Sequence, residues 1–289
     1  IKRGILMDNI SSKLAKFTKK SIKDFGAGSI VTADKIGSLD IPRIPSGVYL
    51  LDKALGGGWP VGRFSMVYGP ESSGKTSLFL RAVANAQRMC ANCNRKAELV
   101  KKKISTIDPN TGELGEDVDT WLIDSCECGN PRNYSIAWID QEGVWTGEWA
   151  EALGVFTERL IVSRPQYAEQ SVDIIESLMY DKVADIIVID SLAAFSSLNE
   201  VEQATGKATQ GEAARILNRA FRKWTSAFHA LWREHLSGKD ENIIIPSVWM
   251  INQVRQKIGV MFGNPETRPG GLGQGFVTSV EVRTGGGKN

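Results

Sequence analysis

Long apolar runs are missing from this 289-residue chain; none approaches the ~18 residues that a membrane helix needs. The first residues, Ile1 to Asp8, hold no sustained apolar stretch of the signal-peptide kind. Together these absences predict a cytoplasmic protein that engages no membrane. An excess of one charge is missing too: 35 lysines and arginines against 33 aspartates and glutamates leave a net +2. Bulk charge therefore does not advertise a nucleic-acid binder, and any such binding must come from local patches. Histidine is scarce; His229 and His235 fall on a predicted helix surface and receive no chemical role. No internal repeat is visible. What is present is ordinary for a core-forming chain: 42% hydrophobic and 24% charged residues exclude a largely disordered or collagen-like protein.

Cysteine is scarce but placed. The four, Cys90, Cys93, Cys126 and Cys128, form a C-x2-C and a C-x-C pair separated by 32 residues. In a reducing compartment that pattern reads as metal binding rather than disulfides. Each pair can clamp one side of a tetrahedral zinc through thiolates. Between the pairs, Lys101 to Thr106, the turn Asp108 to Gly112, and Trp121 to Ile123 read as a hairpin, so the segment resembles a zinc ribbon. Four thiolates leave no open coordination position, which makes such a zinc structural.

The rest of the chain alternates strand and helix signals. Ile10, Leu14, Phe17, Ile22 and Phe25 recur at helical spacing and predict an amphipathic helix over 9–25, stopped by Gly26 and Gly28. Residues 27–48 read as strand and turn, and Asp52 to Leu55 as a short helix. Strands are expected over 64–68, 136–140, 160–163, 186–190, 247–252 and 277–282. Helices are expected over 75–89, 148–153, 168–181 and 211–236. The run Ile186 to Ile189 is apolar without alternation, as a parallel strand covered on both faces requires. Such a rhythm predicts an α/β protein with a mainly parallel central sheet. About 45 residues, 90–134, interrupt it where a connection usually takes ~2–6. The expected organisation is an N-terminal helical oligomerisation segment (1–40), a core (41–89 and 135–289) and an inserted zinc-binding module (90–134).

Gly69-Pro70-Glu71-Ser72-Ser73-Gly74-Lys75-Thr76 matches G-x-x-x-x-G-K-[ST] and is followed by Ser77. It follows a predicted strand and opens a predicted helix. Glycines there let successive N–H groups face phosphate oxygens, and the helix N-terminus adds partial positive charge. Lys75 is placed to neutralise the β- and γ-phosphates, and the Thr76 hydroxyl to hold Mg²⁺. Asp190 ends an apolar strand, the place for a second magnesium ligand. Glu142 follows the 136–140 strand and is a candidate base for the attacking water, with Asp140 as its competitor. Ligands bind at the carboxyl ends of parallel strands, where all three acids lie.

These residues carry a specific resemblance to the RecA recombinase family. It extends through Ile186 to Ala194, through Phe25 to Ile30, Leu153 to Val155 and Ala213 to Arg215, and above all through Ile251 to Thr267. That last stretch is similar to the family's second DNA-binding loop almost residue for residue. Apart from the insertion, the likeness covers about residues 10–283. It implies a RecA-like P-loop ATPase core, with Glu142 as catalytic glutamate beside Lys75 and with Gln253 as the residue that contacts the γ-phosphate. It implies nucleotide contacts from Gly69 to Ser77, from Trp149 stacked on adenine, and from Asp190. It places a first DNA loop at about 199–210 and a second at 254–268. Gln210, Gly211, Arg215, Arg222, Arg255, Lys257, Ile258, Val260, Met261, Phe262, Gly263 and Asn264 are the expected DNA contacts. Helical geometry agrees in part: at ~100° per residue Arg215, Arg219 and Arg222 fall within about 60° of one another. Leu217, Phe221, Trp224, Phe228 and Leu231 take the opposite face. The sequence also departs from the family. Gly275 stands before Phe276 where a lysine is usual, and Glu281 replaces an arginine.

The function so implied is a DNA-dependent ATPase that uses ATP, Mg²⁺ and a structural Zn²⁺. It would form helical homo-oligomers on single-stranded DNA, pair them with homologous duplex and exchange strands, in a bacterial or phage-infected cytoplasm. The alternative is a hexameric helicase or branch-migration motor with a similar core. Such relatives lack the Met261 to Glu266 loop. A third class, a mediator with a vestigial P-loop, conflicts with the intact Lys75, Thr76, Asp190 and Glu142 set.

Overall fold

The structure is a computed structural model that describes residues 2–33, 41–202, 211–238, 245–256, 266–271 and 273–285. The chain opens with helix α1 (Lys2–Phe25), followed by strand β1 (Arg43–Ile44), helix α2 (Tyr49–Ala54) and strand β2 (Trp59–Pro60). Strand β3 (Phe64–Gly69) and helix α3 (Lys75–Ala86) flank the glycine-rich loop. A hairpin follows, β4 (Glu98–Ile107) and β5 (Leu114–Ser125). Then come β6 (Ile136–Asp140), α4 (Gly147–Ala152), β7 (Leu160–Ser163), α5 (Ala168–Tyr180), β8 (Ile186–Asp190), α6 (Leu198–Glu202) and the long α7 (Glu212–Ser237). The described chain ends with β9 (Ser247–Gln253), β10 (Arg255–Gln256), β11 (Glu266–Thr267), α8 (Gly273–Val277) and β12 (Val280–Arg283).

Six strands form one sheet in the order β12-β3-β9-β8-β6-β7, and every neighbouring pair is parallel. Its inner strands are apolar at nearly every position because each face meets helices. On one face Ala137, Ile139, Ile187, Ile189, Val248 and Met250 pack with α5 and α7. On the other, Ile136, Trp138, Ile186, Val188, Trp249 and Ile251 pack with α3 and α4. The two-sided burial explains why Ile186 to Ile189 shows no alternation. Full burial of each such side chain is worth ~1.5–3 kcal/mol, so these strands are the part of the chain with least freedom to shift register. The expected apolar stripe of α7 is confirmed: Leu217, Phe221, Trp224, Phe228 and Leu231 are all buried, while Arg215, Arg219 and Arg222 are exposed.

Several expected boundaries shift. The α3 helix stops at Ala86 rather than near residue 89, because Arg88 and Met89 turn back on Asn85 and Ala86 through backbone hydrogen bonds. The final strand begins at Val280; residues 273–277 form α8 instead, held by Gln274, whose amide donates to the carbonyls of Pro269 and Gly271. The hairpin is longer than expected, with ten residues in β4 and twelve in β5.

Candidate active site

Parallel pairing sets the site. Gly69 lies opposite Gln253 and Asp140 opposite Asp190, so four adjacent strands end at one edge of the sheet. The chain then wraps the phosphate loop around that edge. Gly74, with φ of 83°, caps α3 in the left-handed region where a side chain is strained. A methyl at Gly69 would run into the hydroxyl and carbonyl of Thr284. Glu71 to Ser77, Glu142, Asp190, Ile251 and Gln253 line a cavity of about 430 Å³, within the ~300–1,000 Å³ of small-ligand sites.

Lys75 donates to the carbonyl of Pro70 at 2.5 Å, across the mouth of the loop. Burial lowers its pKa, while Glu142 and Asp190 pull it back up. The Thr76 hydroxyl donates to Asp190 Oδ2 at 3.0 Å. Burial pushes the Asp190 carboxyl up to about 7, with the Thr76 hydrogen bond opposing it. The Asp190 carboxyl and the Thr76 hydroxyl beside it are a pair of hard oxygen donors. That donor set fits Mg²⁺.

Glu142 and Asp140, the competing candidates, have different surroundings. The buried Asp140 accepts backbone N–H bonds from Val144 and Trp145 and an Nε bond from Arg164, each at 3.1 Å. Its oxygens are occupied in holding the turn after β6. Glu142 lines the phosphate cavity, and its Oε1 accepts from Ser191 Oγ at 2.5 Å and Gln253 Nε2 at 3.0 Å. Gln253 is thus tied at one end to Glu142, and two residues later the chain enters the short antiparallel β10–β11 pair. Trp149 is not core: it stands 51% exposed, beside Trp145 and Thr146 in a small pocket that also reaches Thr76 and Asp190.

Of the expected DNA contacts, Gln210, Lys257, Ile258, Val260, Met261, Phe262, Gly263 and Asn264 lie outside the described residues. Gly211 caps α7 with φ of 82°, and Arg255 is exposed on β10. Arg215, Arg219 and Arg222 line an open groove of about 1000 Å³ between α7 and α8. Arg268, the last residue of the expected second loop, is taken up elsewhere. It pairs with Glu281 at 2.8 Å and lies over the Tyr68 ring. Sequence reasoning missed this use of Glu281, the residue that stands where the family has an arginine. The 13-residue spacing of the pair carries no sequence signal.

The four cysteine sulfurs lie within 4.8 Å of one another. Cys90 and Cys128 are 3.8 Å apart, the ~3.8 Å edge that a tetrahedron with ~2.3 Å Zn–S bonds has. Cys126 and Cys128, at 2.7 Å, would have to open by about 1 Å to take the metal. Burial pushes the Cys90 thiol up, but backbone hydrogen bonds around Arg132, Cys93 and Asn92 outweigh it and bring it down to about 6. All-sulfur donors of this spacing fit zinc. The knuckle is clamped to the core: Arg132 binds Asp185 through both Nη atoms at 2.8 and 2.9 Å, and Tyr134 donates to Asn94. Arg159 holds the hairpin base through the Trp121 carbonyl at 2.6 Å.

A phosphate loop on a parallel sheet with an acid ending the second strand over defines a P-loop nucleotide-binding protein. Comparison with known sequences narrows the class. The family model of the RecA N-terminal domain matches residues 12–132 and 127–286, and the chain belongs to that family. "Protein RecA" of Levilactobacillus brevis is 34% identical over 278 residues, covering 96% of this chain and 59% of the relative. The protein of the same name from Petrotoga mobilis is 34% identical over 281 residues, covering 96% and 61%. That from Oceanobacillus iheyensis is 36% identical over 264 residues, covering 90% and 59%. The chain thus spans about three fifths of the length of these curated relatives.

Proposed function

We infer that the protein is an ATP-dependent DNA recombinase, assembling on single-stranded DNA and pairing it with homologous duplex. The observation that carries this reading is the Gln253–Glu142 hydrogen bond. It joins the candidate base of a phosphate site to the residue that opens the segment resembling a DNA-binding loop. A γ-phosphate entering the cavity competes with Glu142 for the Gln253 amide. ATP and ADP therefore pull differently on the chain that follows.

In this reading the N–H groups of the loop and Lys75 bind the β- and γ-phosphates. Thr76 and Asp190 would hold Mg²⁺, which neutralises phosphate charge. Glu142 takes the proton of the attacking water through Oε2, since Oε1 is held by Ser191 and Gln253. Trp149 offers its exposed ring to adenine. Arg215, Arg222 and Arg255 contact DNA phosphates, a sequence-independent contact suited to a substrate of any sequence. Zinc would fix the four thiolates at the base of the hairpin without taking part in catalysis.

The test is ATP turnover with and without single-stranded DNA, together with electron microscopy. Helical filaments are expected with DNA and an ATP analogue; closed rings would favour the helicase reading. Lys75→Ala should lose both nucleotide binding and turnover. Glu142→Gln should keep nucleotide and DNA binding while turnover falls ~10²–10⁴-fold, as loss of a general base predicts. Turnover at the wild-type rate in Glu142→Gln would remove the assignment.

A further inference from the structure

We propose that Thr284, at the end of β12, is a positioning residue for the phosphate loop: its hydroxyl holds Ser73 in the conformation that keeps the loop closed around a nucleotide. The proposal rests on the phosphate-site reading above and adds to it a residue 211 positions from Ser73 in the chain. Strand β12 lies at the edge of the sheet beside β3, the strand that leads into the loop. Arg283 pairs with Tyr68, and the next N–H, that of Thr284, donates to the Tyr68 carbonyl at 2.8 Å. That bond sets the Thr284 side chain against Gly69, where the loop begins. A methyl on Gly69 would come within 2.2 Å of Thr284 Oγ1, so the close approach requires glycine there.

A short chain of hydrogen bonds runs from Thr284 into the loop. Thr284 Oγ1 lies 2.7 Å from Ser73 Oγ. Ser73 gives its own proton to the Pro70 carbonyl, also at 2.7 Å, so the Thr284 hydroxyl is the donor between the two. The Tyr68 carbonyl, at 3.3 Å, is its more distant acceptor. A serine hydroxyl rotates to suit its partners. One that accepts from Thr284 has its proton left for Pro70. The Pro70 carbonyl also takes the Lys75 ammonium. A phosphate entering the cavity draws Lys75 to itself and leaves that carbonyl to Ser73. The Ser73–Pro70 bond then closes the turn and keeps successive N–H groups facing inward.

The strand that carries Thr284 is itself braced. Arg283 donates to both carboxylate oxygens of Glu266, at 2.6 and 3.2 Å. Arg268 pairs with Glu281 at 2.8 Å and covers the Tyr68 ring. Fork pairs of the Arg283 kind fix geometry as well as adding attraction. Strand β12 has only four residues, and these ties to β11 and its flank give it the fixed seat that a positioning residue needs. Thr284 lies outside the Gly69–Thr76 motif; the parallel β12–β3 pairing alone brings it to the loop.

The experiment compares Thr284→Val with Thr284→Ser on the full chain. Binding is read by titration calorimetry with Mg²⁺ and a non-hydrolysable ATP analogue, and turnover is read with single-stranded DNA. Valine keeps the branched shape and loses the hydroxyl; serine keeps the hydroxyl and loses a methyl. Thr284→Val should weaken analogue binding about fivefold, the size of one net hydrogen bond. KM should rise by the same factor, with kcat held within about twofold. Thr284→Ser should bind within about twofold of wild type, since the hydrogen bond is kept. Ser73→Ala removes the bond from the loop side and should weaken binding at least as much; it carries the test if the valine variant does not fold. The double change should be no weaker than Ser73→Ala alone, as for two groups that share one interaction. Wild-type affinity in Thr284→Val, a serine variant weaker than the valine one, or full additivity would each overturn the positioning proposal and leave the phosphate site intact. Lys75→Ala, run alongside, separates the two readings. If that chain also binds the analogue as wild type does, the cavity is not a phosphate site and both readings fall.

Discussion

Asp190 is buried at the mouth of the phosphate loop, bonded to Thr76. Its carboxyl titrates at about 7 in the folded chain, raised by burial, against ~3.9 when unfolded. Between those values the folded state keeps a proton that the unfolded state has released. Stability is therefore lost as pH rises through roughly 4 to 7, by at most about 4 kcal/mol at ~1.4 kcal/mol per unit. Asp190→Asn abolishes this titration. Without metal or nucleotide, the variant should melt higher than wild type at pH 8, and by only about a third of that stability margin at pH 5. Adding Mg²⁺ with an ATP analogue should reverse the order at pH 8, since the amide is a poorer ligand than the carboxylate. Scanning calorimetry at both pH values checks this. Equal melting temperatures at pH 8 would show that the buried charge costs nothing. That Asp190, Lys75 and Thr76 lie together was legible because their spacing and strand context are local. The choice between Asp140 and Glu142 was not legible from the residues themselves. It depends on where the turn at Val144 and Trp145 aims two backbone N–H groups, and on an arginine 24 residues away in sequence.

The same division appears in whole elements. The four buried strands, β3, β6, β8 and β9, could be read from apolar runs because two covered faces leave little other composition. Helix and strand ends shifted where a few hydrogen bonds decide, as at Arg88 and Gln274. The hairpin was anticipated from its turn and its cysteine pairs, but its attachment was not. Arg132 bonds Asp185 53 residues away, and the Asp185 side chain is nearly buried. Asp185 also accepts from the backbone N–H of Ser135, so it joins the returning end of the insertion to the start of β8. Arg132→Ala should destabilise the protein by about 2 kcal/mol, less than the ~3–5 of a fully buried pair because the guanidinium is partly exposed. Urea denaturation followed by tryptophan fluorescence measures it; a change below 0.5 kcal/mol would make the clamp incidental. Cys126→Ser should instead release about one zinc per chain, the expectation for one four-thiolate site, with the sheet still folded. Metal analysis and circular dichroism separate the two effects, and stoichiometric zinc in the variant would exclude Cys126 as a ligand.

At the scale of the molecule the sheet has two working edges. The residues that line the phosphate-loop cavity gather at the carboxyl ends of β3, β6, β8 and β9, and the insertion leaves from the opposite edge, after α3 and before β6. Gln253 sits where β9 leaves the first edge, with its backbone N–H on Asn252 Oδ1 at 2.8 Å and its side chain on Glu142. Asn252 is buried and bonded in turn to Gln274 and the Pro269 carbonyl. The strand end is thus held on the Asn252 side and by the Val254 N–H on the Gly69 carbonyl at 3.2 Å, and the Gln253 amide links it to Glu142. On the proposed reading, a γ-phosphate that captures this amide would shift the populations of the segment that follows, by ~1–3 kcal/mol for a typical coupling. Gln253→Ala should bind ATP through the phosphate loop yet lose the ATP-dependent gain in affinity for single-stranded DNA. By that coupling the gain should be ~5–150-fold in the unaltered chain. Arg255→Ala acts on the other partner. It should weaken DNA binding with ADP and with an ATP analogue alike, and lower the slope of log affinity against log salt by the equivalent of about one phosphate contact. Fluorescence anisotropy titrations with each nucleotide, at several salt concentrations, separate the two variants. A Gln253→Ala chain that keeps the full nucleotide-dependent difference would show that the signal leaves the phosphate site by another route, and the Glu142–Gln253 bond would then be a resting contact alone.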